Sequence, residues 1–118
     1  MARYTSFYKS MTSSNELKRF IFDMLRACDF DVIYDRGDYV YAREVPGGVD
    51  YSKLVTVEVL IDPPKSSVVP DAVDDAFHMN FVVKNEELPL RMDNHCRRKF
   101  NLVNEAIQSS EFLEVVAA

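Results

Sequence analysis

Two thiols and two imidazoles are the side chains best suited to nucleophilic or metal chemistry in this chain: Cys28, Cys96, His78 and His95. A nucleophile needs a base and an orienting group that meet it in space. His95 and Cys96 are adjacent, but adjacent positions on a helix point about 100° apart, so they do not form a pair. No G-x-S-x-G elbow is present. Metal ligands would have to come from His78, His95, Asp71, Asp74 and Asp75, yet no H-E-x-x-H, EF-hand loop or C-x-x-C pattern arranges them. They read as an acidic loop leading into a strand, with His78 on the wet side. Gly47-Gly48 is followed by strand formers rather than a helix, so it builds no phosphate cradle. Asp35 and Asp38 flank one turn and Glu86 and Glu87 another, where exposed carboxylates stay inert. No catalytic residue, metal ligand or cofactor site is expected, and the chain does not read as an enzyme.

Charge narrows the partner classes. The net charge is −5, and residues 61–118 hold 10 acidic against 6 basic side chains. Phosphate neutralisation needs a basic face, so the surplus disfavours nucleic acid as a partner. The one basic cluster, His95-Cys96-Arg97-Arg98-Lys99, has no interleaved aromatics and reads as a solvated helix face. No apolar run approaches the roughly 20 residues of a membrane-spanning helix. Residues 1–11 carry no apolar core of a secretory signal, so the expected location is cytoplasmic, with both cysteines reduced. Each cysteine falls on the apolar side of an expected helix and reads as a buried thiol; pairing them would need an oxidising compartment.

The elements that must position these groups follow from periodicity. Ser13-Ser14-Asn15-Glu16 has the spacing of a capping box, and Leu17, Phe20, Ile21, Met24, Leu25 and Cys28 then recur at three- and four-residue steps. A helix is predicted over about 14–28. Phe30, Val32 and Tyr34, the turn Asp35-Arg36-Gly37-Asp38, and Tyr39 to Ala42 predict a β-hairpin. Leu54 to Ile61 predicts a strand with Val55, Val57, Val59 and Ile61 on one side, and Phe77 to Lys84 predicts another. Residues 63–75, rich in proline, read as a long loop. A second helix is predicted over about 93–108, with Cys96, Phe100, Val103 and Ile107 inward. Residues 1–12 read as a docking arm or short strand, and Phe112 to Val116 as a further helical turn or two. The expected architecture is a single α+β domain over 1–118. It is a two-layer sandwich, with a mostly antiparallel sheet of about four strands and both helices on one face.

Within that frame the tyrosines stand out. Tyr34, Tyr39 and Tyr41 share the hairpin, Tyr4 and Tyr8 the N-terminal segment, and Tyr51 precedes a strand. Tyrosine suits interfaces because it joins apolar area to a polar tip. A sheet face left bare by the helices would expose alternate residues such as Leu54, Leu60 and Val82. Leu88, in the turn Leu88-Pro89-Leu90, offers a second apolar spot. The expected partner-binding residues are therefore Tyr34, Tyr39, Tyr41, Leu54, Leu60 and Leu88. The expected function is a non-catalytic protein-interaction module — adaptor, assembly factor, chaperone-like protein or inhibitor — acting through that face or the hairpin edge, with a homodimer among the options. One alternative is a small-ligand binder or enzyme with a pocket lined by His78, Asp74 and Asn80. Another is an acidic inhibitor that occupies a nucleic-acid-binding surface through Asp62, Asp71, Asp74, Asp75, Glu86 and Glu87.

Overall fold

The structure, a computed structural model, describes residues 1–63, 76–88, 90–110 and 114–117. In chain order the elements are β1 (Ala2–Ser10), α1 (Ser14–Ala27), β2 (Phe30–Arg36), β3 (Tyr39–Glu44), a 3-10 turn (Tyr51–Lys53), β4 (Thr56–Asp62), β5 (Phe77–Asn85), α2 (His95–Gln108) and β6 (Glu114–Ala117). The strands form one sheet in the order β2-β3-β4-β5-β1-β6, with every neighbouring pair antiparallel. The class is α+β, as expected, with five long strands and a short sixth at the edge rather than about four. The expected loop over 63–75 lies outside the described residues except for Pro63.

Local chemistry sets the helix ends. Ser13 Oγ accepts the Glu16 N–H at 3.3 Å, satisfying one of the free donors at the start of α1. The Glu16 carboxylate turns instead to the Thr12 hydroxyl, 2.7 Å away, so only half of the capping box forms. At the other end the chain reverses through Asp29 at φ 66°, a conformation that short polar side chains tolerate. The hairpin turn between β2 and β3 uses Gly37 at φ 55°, where a side chain would be strained.

Leu17, Ile21, Met24 and Leu25 of α1 and Cys96, Phe100, Val103 and Ile107 of α2 are buried against one side of the sheet. That side supplies Val40, Ala42, Val57, Val59, Ile61, Met79, Phe81 and Val83. Each fully buried aliphatic or aromatic side chain contributes about 1.5–3 kcal/mol relative to exposure. Both cysteines are free and buried in this layer.

Two segments differ from expectation. Residues 1–12 are not an arm: β1 pairs with β5 over its whole length, from Ala2 opposite Asn85 to Ser10 opposite Phe77. Its inward positions include Ser6 and Ser10 while Phe7 faces out, which blurs the alternation that marks a strand. Glu114–Ala117 is a strand pairing with β1, not a helical turn; Phe112 and Leu113 lie outside the described residues. Among the described residues no helix is long and apolar enough to cross a membrane.

Candidate functional site

Register places the second face of the sheet, on which neither helix packs, in four rows running across the strands. The first row is Asp31, Arg43, Thr56, Lys84 and Arg3. The second is Tyr34, Tyr41, Glu58, Val82 and Thr5, and the third Arg36, Tyr39, Leu60, Asn80 and Phe7. The fourth is Asp62, His78 and Lys9, with Glu114 opposite Lys9 in register. Four of the expected partner-binding residues, Tyr34, Tyr39, Tyr41 and Leu60, thus share two adjacent rows.

A bulge in β2 decides the place of Tyr34. Val32 stands opposite Ala42 on the core side, but the ladder shifts before Tyr34, which stands opposite Tyr41. Side chains alternate with a period of two, so one extra residue moves the rest of the strand to the other face. Tyr34 swings away from the core, and Asp35 swings toward α1, where it meets Lys18 Nζ at 2.5 Å.

The middle two rows mix aromatic and aliphatic side chains with Glu58, Thr5, Arg36 and Asn80, and are partly ordered by ring contacts. Tyr34 is 45% exposed, Leu60 42% and Phe7 41%, but Val82, expected among the exposed residues, is only 4% exposed between its strand neighbours Glu58 and Thr5. The Tyr34 and Tyr39 rings meet edge to face, with centroids 5.9 Å apart, and the Arg36 guanidinium sits 5.9 Å from the Tyr34 centroid. Glu58 holds Lys84 Nζ at 2.7 Å. At the centre Asn80 Oδ1 is buried and accepts no hydrogen bond among the described residues.

Two expected residues lie elsewhere in kind. Leu54 is only 8% exposed; it lines a groove of about 420 Å³ beyond the first row, with Arg43, Tyr51, Ser52, Thr56 and Lys84 beside it. Leu88 is 67% exposed but sits in the β5–α2 connection, beside a cleft lined by His95 and Arg98, apart from the tyrosine rows.

His95, on the wall of that second cleft, belongs to a polar cluster the sequence did not announce. His95 Nε2 lies 2.8 and 3.0 Å from the two oxygens of buried Glu44, whose Oε1 also accepts the Val55 N–H at 3.0 Å. Lys99 Nζ stands 3.8 Å from the other oxygen and donates to the Cys28 carbonyl at 3.4 Å. Arg98 pairs with Asp93 at 3.1 Å, and Arg97 lies 5.1 Å from the Tyr4 ring centroid. The basic cluster is therefore not one solvated face: Arg97 and Lys99 fold back on the body. A buried glutamate in a strand next to a distant helix start carries no sequence signal, because its partners meet only through the fold.

The start of α2 is filled from within the chain. Asn94 accepts the Arg97 N–H at 2.8 Å and Glu87 Oε1 accepts the Cys96 N–H at 2.9 Å. Desolvation pushes the Glu87 carboxyl up, but hydrogen bonds from Asn85 and the Cys96 and His95 backbone outweigh it and hold it below the usual range. Glu87 is thus committed to the helix start rather than displayed as surface charge. The Cys96 Sγ points to the Ala2 and Val83 carbonyls, and burial pushes its thiol up to about 12. Burial likewise raises Cys28. Neither is a ready thiolate at neutral pH.

His78 falls on the fourth row and Asn80 on the third, while Asp71, Asp74 and Asp75 lie outside the described residues. His78 lines neither the groove at Leu54 nor the cleft at His95. Among the described residues no three His, Cys, Asp or Glu side chains gather as a metal site. No family model matches the chain and no curated protein is similar to it in sequence, so the bare face is read from its own residues.

Proposed function

We propose that the chain is a non-catalytic protein-interaction module of the cytoplasm, of the adaptor, assembly-factor, chaperone-like or inhibitor kind, that binds a protein partner through the bare sheet face. One observation carries this reading. Tyr34, Tyr41, Tyr39 and Leu60 adjoin one another across β2, β3 and β4, with Phe7 beyond Asn80, on a face that neither helix packs against. Contiguous apolar area rimmed by polar groups is the usual mark of a partner site, and tyrosine anchors such sites well. Asn80 Oδ1, buried and without a hydrogen bond among the described residues, adds support: an orphaned buried acceptor costs about 1–3 kcal/mol, which a partner's donor would recover.

The face is favoured over the hairpin edge. β2 is an edge strand, but it carries the bulge at Ile33 and the charges Asp31, Asp35 and Arg36. Bulges and charges are what proteins use to stop a foreign strand from adding there.

The test is affinity capture from native lysate with the wild-type chain and with a Tyr41→Ser/Leu60→Ser variant. Serine is chosen because an acid at position 41 would stand opposite Glu58. The expected result is a protein retained by the wild type and lost by the variant, with the circular dichroism spectrum unchanged. A partner retained equally by both removes the face from the reading. Light scattering over a concentration series asks separately whether that partner is a second copy.

A further inference from the structure

The apolar side chains that the fold leaves most open lie at one end of the sheet, apart from the tyrosine rows. Met92 is 90% exposed, Leu90 86%, Tyr51 78% and Leu88 67%. With Met1 they make up five of the six most exposed large hydrophobic residues among those described. Leu88, Leu90 and Met92 sit on the β5–α2 connection, and that connection is pinned at both feet. Asn85 donates to the Lys53 carbonyl at 3.1 Å and to Glu87 Oε1 at 2.9 Å, and Asn94 donates to the Arg91 carbonyl at 2.9 Å. Between them the Leu90 N–H meets the Leu88 carbonyl at 2.8 Å. A fixed backbone thus holds apolar side chains out in water, which lowers the ordering cost of binding. Beside this ridge lies a groove of about 420 Å³, lined by Leu54, Tyr51 and Met1 and reaching Glu86, two residues before Leu88.

We infer that this end of the sheet is a self-complementary contact between two copies of the chain, the Leu88–Met92 ridge of each seated in the Leu54 groove of the other. A ridge and a groove side by side on one surface are filled together by a two-fold axis between them, and such a contact closes at two copies. Charge fits the same arrangement. Arg91 stands on the ridge between Leu90 and Met92, and Glu86 stands on the groove, so the axis sets each arginine against the other copy's glutamate. The cations of the groove are matched within one chain: Arg43 stands opposite Asp31 in register, and Glu58 holds Lys84 at 2.7 Å. A chain of net charge −5 repels a second copy over most of its surface, so two copies meet best where charge is balanced and apolar surface is open.

Other occupants suit this end less. An anionic membrane surface takes exposed leucines when free cations surround them, but here Asp93 holds Arg98 at 3.1 Å and Glu86 stands close by. An unrelated apolar peptide would fill the groove and leave Leu90 and Met92 in water, whereas a second copy covers both. The inference is independent of the bare face: Tyr41 and Leu60 lie on the flat of the sheet, the ridge and groove at its end.

Sedimentation equilibrium of the full chain over a concentration series tests this. The wild type should show a monomer–dimer equilibrium. Leu90→Ser/Met92→Ser, at exposed positions that leave the core intact, should weaken the dimer by about tenfold or more, as loss of apolar anchors does. Arg91→Glu and Glu86→Arg should each weaken it by up to about fivefold for each of the two ion pairs broken. Both changes in one chain should restore it, because the two-fold axis sets the reversed charges opposite each other again. A wild type that stays monomeric throughout the series, a dimer indifferent to Leu90→Ser/Met92→Ser, or a double reversal that recovers nothing overturns the inference. A dimer lost with Tyr41→Ser/Leu60→Ser but kept with Leu90→Ser/Met92→Ser also overturns it, and leaves the protein-binding reading of the bare face standing.

Discussion

On its helix side the sheet presents Val40, Ala42, Val57, Val59, Ile61, Met79, Phe81 and Val83; on its other side the same strands present Tyr39, Tyr41, Thr56, Glu58, Leu60, His78, Asn80 and Lys84. One set is apolar and sealed. The other mixes phenols, charges and amides at the same strand spacing. A face meant only for solvent has no need of tyrosine, leucine and phenylalanine in adjacent rows, and a face meant for the core cannot hold Arg43 and Lys84. The difference separates what holds the fold from what is left to meet something else. It also says that a substitution on one side should move stability, and on the other recognition.

The sharpest way to break that division is at its sealed side. Phe81 is fully buried and meets the Tyr8 ring edge to face, with centroids 5.6 Å apart. Phe81→Ala should cost about 3–5 kcal/mol. In calorimetry that corresponds to a fall in Tm of roughly 12–20 °C for a chain of this size. A loss under about 1 kcal/mol would mean that the two sides are not energetically distinct.

Glu44→Ala tests the polar cluster at the sheet's covered end. It strands the Val55 N–H and leaves His95 without its partner. An unmet buried donor costs about 1–3 kcal/mol. Chemical denaturation should show that loss at neutral pH.

The charge at the start of α2 gives a smaller, pH-linked effect. The Glu87 carboxyl is held below its ordinary value in the folded chain, so the stability it contributes is present above the unfolded-state value of about 4.3. It is lost as pH falls through the folded value. Glu87→Gln removes the charge but keeps an acceptor, and should cost about 0.3–1 kcal/mol at pH 7. The wild-type advantage over the variant should shrink below about pH 4 in parallel melts. An advantage that persists to pH 2 would show that the charge contributes nothing.

The bare side should yield least in stability. Tyr41→Ser, at a half-buried position, should cost about 1 kcal/mol or less. The capture experiment is where its effect should appear. A loss of stability as large as that of Phe81→Ala would show that Tyr41 belongs to the core after all.

Much of the framework was legible in residue order. The stripe Leu17, Ile21, Met24, Leu25 and the cap at Ser13 place α1 to within a residue or two, because burial and capping are local demands. The strict alternation from Val55 to Ile61 assigns both sides of β4. β1 escaped a firm reading because Ser6 and Ser10 point inward and Phe7 outward, so composition ran against position. The Glu44–His95–Lys99 cluster was invisible because its members lie on separate elements and nothing in their spacing ties them.

Residue order alone determined the period of each element, the caps, the turn at Gly37 and the two alternating sets of side chains on β4 and β5, since each depends on neighbours a few positions away. Tertiary structure alone decided which set is covered. The helices could seal only one side, the bulge at Ile33 carried Tyr34 across to the other, and antiparallel pairing of β1 with β5 set Arg3 beside Lys84 and, two strands on, Arg43. Long-range pairing places residues far apart in the chain within one strand spacing of each other, and no local pattern encodes that meeting.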